Sequence, residues 1–344
     1  MSRTIATTWT VLALACWALA GCEAAERDAG SPSGDADSDG DSDGDSDADS
    51  DSDSDADSDA DGDADSCDVD LLFVFDTSGS MMDAVGPLID TAFPAFAESL
   101  ETYPQLGSVH VAITTNLWGE KTFENGGTGM SCEGGVEETV QTSRFLTDGW
   151  DPLEPHDPYC CEEVPGIDCQ FASGERWIEG PSGTMVDEFG CVGNVPCQQD
   201  VMAGEPTLEA GLKALQHPDN EGFVRDGALL VVVFITDEED QSAMNPQAVH
   251  DGLLALKGDD EKYVAVVTIA GPEVGTEEVN EVTGAMGCFG EYGGTEETPE
   301  IIGFTGLFGE RGLHYEMCGD NDMSSALEDA FDVLELSCED IIVE

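Results

Sequence analysis

The chain has 344 residues, room for one large domain or two small ones. Ten basic residues stand against 75 acidic ones, a net charge of -65. That excludes a nucleic-acid partner, because phosphate backbones are held by basic patches, and fits a cationic ligand, a metal ion or simple solubility.

Arg3 is the only early charge, and an apolar stretch from Trp9 to Ala20, interrupted by Thr10, ends in Leu19-Ala20-Gly21-Cys22. This reads as an export signal, too short for a membrane span. The LAGC tetrad resembles the lipobox of bacterial lipoproteins. The resemblance implies removal of residues 1–21 and acylation of Cys22. The protein would then sit in a bacterial cell envelope, on the outer membrane or the periplasmic face, touching the membrane through its lipid alone. An ordinary signal peptide with an incidental Cys is the other reading.

Residues 22–66 read as a tether. From Asp35 to Asp65 every odd position is Asp, and the even positions are Ser, Ala or Gly. Such a segment has nothing to bury, repels itself and is expected to be an extended, disordered spacer. Residues 31 to 66 reach no further than about 120 Å. The stretch DSDADGDADSCD, Asp57 to Asp68, resembles an EF-hand loop. Position 12, however, is Asp68 instead of Glu, and no helical pattern flanks it, so weak calcium condensation on the polyaspartate is expected over a specific site.

From Cys67 onward the composition is that of a folded domain. Leu71 to Phe75 is the first strand, apolar throughout and therefore buried on both faces. Ile89, Ala92, Phe93, Phe96 and Leu100 then fall at helical spacing, with Pro94 predicting a kink or a late start. Ser108 to Thr115 is the second strand. Residues 117–203 break the pattern: they are rich in Gly, Pro and Cys and read as a disulfide-stapled insertion, with a strand expected at Ser143 to Leu146. Leu208, Leu212 and Leu215 mark a helix beginning near Thr207, and Ala228 to Ile235 is the strongest strand. A helix over Pro246 to Leu256, a strand over Tyr263 to Ala270, a helix over 299–309 and a short strand over Leu313 to Met317 follow. The last helix carries Leu327, Ala330, Phe331 and Leu334. Apolar strands alternating with amphipathic helices predict an α/β fold, a doubly wound, mostly parallel sheet with helices on both faces and a Cys-rich insertion. Ligands of such sheets bind beyond the carboxyl ends of the strands.

The first strand runs into DTSGS, with Asp76, Ser78 and Ser80 at i, i+2 and i+4; the strongest strand runs into Asp237; Thr207 lies at a loop-to-helix junction. DTSGS is similar to the DxSxS motif of von Willebrand factor type A domains, with Thr207 and Asp237 matching that family's second- and third-loop residues, in order. The resemblance covers about residues 67 to 340 without the insertion. It implies a metal-ion-dependent adhesion site holding Mg2+, or Mn2+ or Ca2+. Ser78, Ser80 and Thr207 would bind directly, with Asp76 and Asp237 acting largely through water. Hydroxyl ligands leave the ion with uncancelled positive charge, so a partner's carboxylate can complete its shell. Glu238, Glu239 and Asp240 are expected to form a solvated face.

Of twelve cysteines, Cys16 would leave with the signal and Cys22 would take the lipid; the even remainder in an exported chain suggests disulfides. In the implied topology the last helix ends near the start of the first strand, which makes a Cys67–Cys338 bridge plausible. Cys288 and Cys318 could staple the loop after the Tyr263 strand, while the pairing of the insertion's cysteines stays open. The five histidines are scattered, no HExxH, phosphate-binding loop or GxSxG is present, and no enzyme is expected. The expected function is an envelope-anchored binding protein that recognises a protein or glycan partner offering a carboxylate. A metal-dependent enzyme or sensor, or a scaffold with a structural metal, is the alternative. Nineteen acidic and two basic residues precede Cys67, leaving the folded part at -48, an awkward charge for binding an acidic partner.

Overall fold

The computed structural model describes residues 66–76, 78–81, 88–116, 167–193, 205–280, 284–290, 293–318 and 323–342; between 117 and 166 it describes only residues 120–123, 138–141, 145, 148 and 149. The signal sequence, Cys22, the Asp-rich tether to residue 65 and four insertion cysteines (Cys132, Cys160, Cys161 and Cys197) lie outside the described residues.

Strands β1 (Cys67–Phe75), β2 (Leu106–Thr115), β8 (Leu229–Ile235), β9 (Val264–Ala270) and β13 (Gly312–Glu316) are parallel, and β7 (Ile178–Gly180) is antiparallel to β2. Together they form a six-stranded sheet in the order β13-β9-β8-β1-β2-β7. Short pairs β3 (Glu120–Phe123) with β4 (Glu138–Gln141), and β5 (Asp148–Gly149) with β6 (Ile167–Asp168), belong to the insertion. Phe145 is buried and lies in no strand; the rest of the strand expected over Ser143 to Leu146 lies outside the described residues.

Helices cover both faces, and the two-residue period of a strand explains the unbroken apolar runs. From β1, Val69, Leu71, Phe73 and Phe75 face a core shared with α1 (Phe93–Thr102), α2 (Met185–Val192) and α6 (Met323–Ile342). Leu72 and Val74 face a second core with α3 (Thr207–Leu215), α4 (Pro246–Leu256) and α5 (Pro299–Thr305). Gly211 lets α3 lie close on the sheet, since a Cβ there would fall 2.7 Å from the Phe234 ring. Pro94 sits in the first turn of α1, after one π-helical turn at Leu88–Ala92, so the regular helix does start late. Among the described residues no helix is long and apolar enough to cross a membrane.

The insertion contributes more to the core than its composition suggests. α2 comes from it, and Phe189 packs against Phe73 and Phe93 at ring-centroid distances of 5.2 and 4.8 Å. A Cys169–Cys191 disulfide ties α2 to the chain before β7. Cys67–Cys338 closes the end of α6 onto the start of β1, and Cys288–Cys318 joins β11 (Ala285–Gly290) to the end of β13. β11 is the middle of a second, antiparallel sheet between β10 (Glu277–Asn280) and β12 (Gly293–Glu296). The sequence reading has no counterpart to this sheet. Its approach to the main body needs glycine: a Cβ on Gly271 would overlap the Glu296 carbonyl.

Candidate metal centre

The order of the sheet reverses around β1, whose chain neighbour β2 lies on one side and β8 on the other. Residues following β1, β2 and β8 therefore meet at one edge, the switch point where doubly wound sheets place ligands. Asp76 follows β1, Asn116 follows β2, and Thr236 and Asp237 follow β8.

Asp76 is fully buried and held from three sides. Its Oδ1 accepts from Ser78 N at 2.8 Å and from Asn116 Nδ2 at 2.9 Å, and its Oδ2 accepts from Thr236 Oγ1 at 2.7 Å. Ser78 and Ser80 share a hydroxyl–hydroxyl hydrogen bond of 2.8 Å, and Ser80 Oγ donates to Asp237 Oδ1 at 3.2 Å. The first and third predicted loops are thus joined side chain to side chain. Asp237 is buried while Ser80 is exposed, so the cluster opens to solvent on its serine side.

The second loop arrives differently. Thr207, 1% exposed, begins α3, and its Oγ1 has no hydrogen-bond partner among the described residues. The loop is linked to the site by two neighbours of Thr207: Leu208 N donates to Asp240 Oδ1 at 3.0 Å, and the Glu205 carboxyl lies close enough to Asp76 to feel its charge. Glu205 Oε2 is buried and likewise without a partner.

Four carboxyls, those of Asp76, Glu205, Asp237 and Glu238, converge here with no basic group between them among the described residues. Burial, then the charges of Asp76, Glu238 and Asp237, push Glu205 up to about 10. Burial and then Asp76 and Glu238 hold Asp237 well above the usual carboxylate range, against the opposing hydrogen bond from Ser80. Glu238 is raised to about 7 by burial, then Glu296 and Asp76. Like charges gathered in a poorly solvated place oppose ionisation, and a cation among them removes the opposition. The donors (carboxylates and hydroxyls, with two buried oxygens lacking partners) are hard oxygen ligands and fit a hard divalent ion such as Mg2+ or Ca2+.

Glu238, Glu239 and Asp240 are not the solvated face expected of them. All three are half-buried. Glu239 accepts from the N–H groups of Glu300 and Ile301 at the start of α5, and Asp240 caps α3 while accepting from Ser242 Oγ at 2.8 Å. Helix N-termini attract carboxylates, which gives the acidic run specific internal partners. A second group, Cys288, Glu316 and Cys318, also brings ligand atoms within 4.8 Å of one another, but its two sulfurs are joined in a disulfide. His110, on β2, is buried between Trp177 and Phe223.

Comparison with known proteins yields no matching family model and no matching curated protein. Solved structures that match include proximal thread matrix protein 1 from the mussel byssus, at 12% identity and a TM-score of 0.39, over 78% of this chain and 49% of that one. Another form of the mussel protein, described with a zinc-occupied MIDAS motif, matches at 14% identity and a TM-score of 0.35, over 80% and 46%. A mutant of the PilB minor pilin from Streptococcus sanguinis matches at 12% and 0.35, over 81% and 63%. The chain spans less than two thirds of each of these. Likenesses this distant add nothing to the architecture described above and do not bear on function.

Sequence reasoning missed Asn116, Thr236, Glu205 and Glu238. Asn116 and Thr236 could have been found by the same sign that singled out Asp76, a polar side chain directly after a buried strand. Glu205 and Glu238 carry no such sign in a chain with 75 acidic residues.

Proposed function

We propose that this chain is a lipid-anchored binding protein of a bacterial envelope and a member of the von Willebrand factor type A family, and that it recognises a protein or glycan partner through a divalent cation. The observation that carries the reading is the cluster at the carboxyl ends of β1 and β8. Asp76, Ser78, Ser80 and Asp237 form one hydrogen-bonded network there, and the buried Thr207 hydroxyl lacks a partner. In this reading Ser78, Ser80 and Thr207 hold the ion directly, and Asp76 and Asp237 act largely through water. Asn116 and Thr236 fix the orientation of Asp76, as outer residues of metal sites do. The exposed serine side admits a partner's carboxylate, which completes the shell of a magnesium, manganese or calcium ion. The tether carries the domain away from the lipid on Cys22 and condenses calcium only weakly. The role is recognition, with no catalytic step.

Magnesium calorimetry on the full chain against an Asp76→Ala variant tests the site, the variant accounting for ions taken up by the tether. Saturable one-site binding that the variant lacks is expected, together with partner capture that a chelator abolishes. Identical titrations of the two proteins would remove the mechanism.

A further inference from the structure

Glu205 is the residue of the site whose chemistry the adhesion reading leaves unused. Its backbone is pinned, with its carbonyl accepting from Thr207 N at 2.9 Å and from Gln241 N at 3.0 Å. Its side chain lies within range of the Asp76 and Asp237 charges, and its Oε2 is buried without a partner among the described residues. Among the described residues no Lys, Arg or His pairs with it. A carboxyl placed against aspartates, with no cation beside it, is an expensive choice. A glutamine would fill the same place without the charge. An acid at this position is accounted for by a positive ion within its reach, and the unpartnered Thr207 hydroxyl two residues on marks the same loop as facing a missing ligand.

We propose that Glu205 is an intrinsic ligand of the cation, supplying from the second loop the carboxylate that an open adhesion site takes from its partner. This rests on the adhesion-site reading and refines it. The resting ion is satisfied from within, and a partner's carboxylate must displace Glu205. A glutamate able to bind through both oxygens also favours Ca2+, which accepts more and looser ligands, over Mg2+, which holds its waters.

The test uses the full chain, with Asp76→Ala subtracting the tether. Calcium and magnesium are titrated by calorimetry, and water-proton relaxation counts the inner-sphere waters on Mn2+ bound at one equivalent. Glu205→Gln keeps the shape of the side chain. Glu205→Asp, which keeps the charge but shortens the reach, is the second variant should the first fail to fold by circular dichroism. The expected result is a loss of at least about tenfold in calcium affinity, a smaller loss for magnesium, and one more inner-sphere water on Mn2+ in either variant. Unchanged or tighter binding with an unchanged water count, while Asp76→Ala still loses the site, would overturn the role of Glu205 and leave the adhesion site standing. If Asp76→Ala titrates like the wild type, the site itself fails and this inference fails with it.

Discussion

Loading the site with an ion should expel protons, and their number follows from the raised carboxyls that surround it. At pH 7 Glu205, raised to about 10, holds its proton, and Glu238, raised to about 7, is protonated half of the time. A divalent cation needs these groups ionised, so binding releases roughly 1.5 protons at pH 7. More are released if Asp237, also raised, contributes. The apparent binding constant should then climb by about 30-fold per pH unit on average between roughly pH 6 and 8, more steeply at the acid end. Calorimetry in two buffers of different ionisation enthalpy reads the proton count directly. Solvated aspartates of ordinary pKa are ionised throughout this range and release none on meeting a cation, so the count separates binding at this site from condensation on polyaspartate. The same shifts fix the sign for stability without metal. A carboxyl whose folded pKa lies above its unfolded one contributes stability that is intact below about pH 4.5 and is lost as pH rises through 7 toward 10. Melting temperature in chelator should fall between about pH 5 and 8, and saturating magnesium should flatten the fall. A proton count near zero for binding that Asp76→Ala abolishes would refute this account of the site's electrostatics.

Three further predictions concern the frame that holds the site. Cys67 and Cys338 are 271 residues apart, and closing so long a loop restricts the unfolded chain by about 5–6 kcal/mol in the chain-entropy relation; replacing both with alanine should lower the urea midpoint accordingly, and a loss under about 1 kcal/mol would contradict the relation. Asp70, fully buried, accepts from Arg225 Nε at 2.7 Å and from Lys257 Nζ at 3.1 Å, and the Lys257 side chain is only 3% exposed. Asp70→Ala should therefore cost about 3–5 kcal/mol by stranding a buried charge, and adding Lys257→Met should restore part of it; strictly additive losses would sink the argument. His314 is held below its ordinary pKa by burial, with Nδ1 2.9 Å from Thr268 Oγ1 and Nε2 3.0 Å from the Gly271 carbonyl. The unfolded chain takes up that proton first, so stability should drop as pH falls below about 6.5, and the drop should shrink in His314→Gln; equal slopes in the two proteins would count against it.

What the sequence disclosed depended on periodicity. The run from Leu229 to Ile235 and the spacing of Leu327, Ala330 and Leu334 announce a buried strand and an amphipathic helix because each satisfies one period over several residues. α2 obeys the rule too, with Met185, Phe189 and Val192 buried at i, i+4 and i+7, but in only eight residues amid cysteine and glycine. The sheet of β10 to β12 obeys no apolar period. Its strands have four, six and four residues, and its position follows from backbone approach at glycine and from the Cys288–Cys318 bridge. The site divided in the same way. Asp76, Ser78, Ser80 and Asp237 occur at strand ends in a recognisable order, whereas Glu205 belongs to the site only through a tertiary contact.

That contact bears on the charge conflict posed by a domain of -48. With Asp76, Asp237, Glu205 and Glu238 all ionised, a divalent ion leaves the site net negative and with little pull on a partner's carboxylate. β12 adds to the field: Glu296 N donates to the Asp237 carbonyl at 2.8 Å, and the Glu296 charge raises Glu238. For an acidic group to reach the ion, Glu205 has to withdraw, and the proton it holds at neutral pH when no ion is bound is what would let it do so at small electrostatic cost. The acid that opposes the partner is then also the one that can be neutralised. On β11, the strand paired with β12, Met286 and Phe289 are 42% and 52% exposed. In the proposed reading they offer apolar area that carries no charge penalty, so a partner that met β11 first would gain contact before its carboxylate had to compete for the ion.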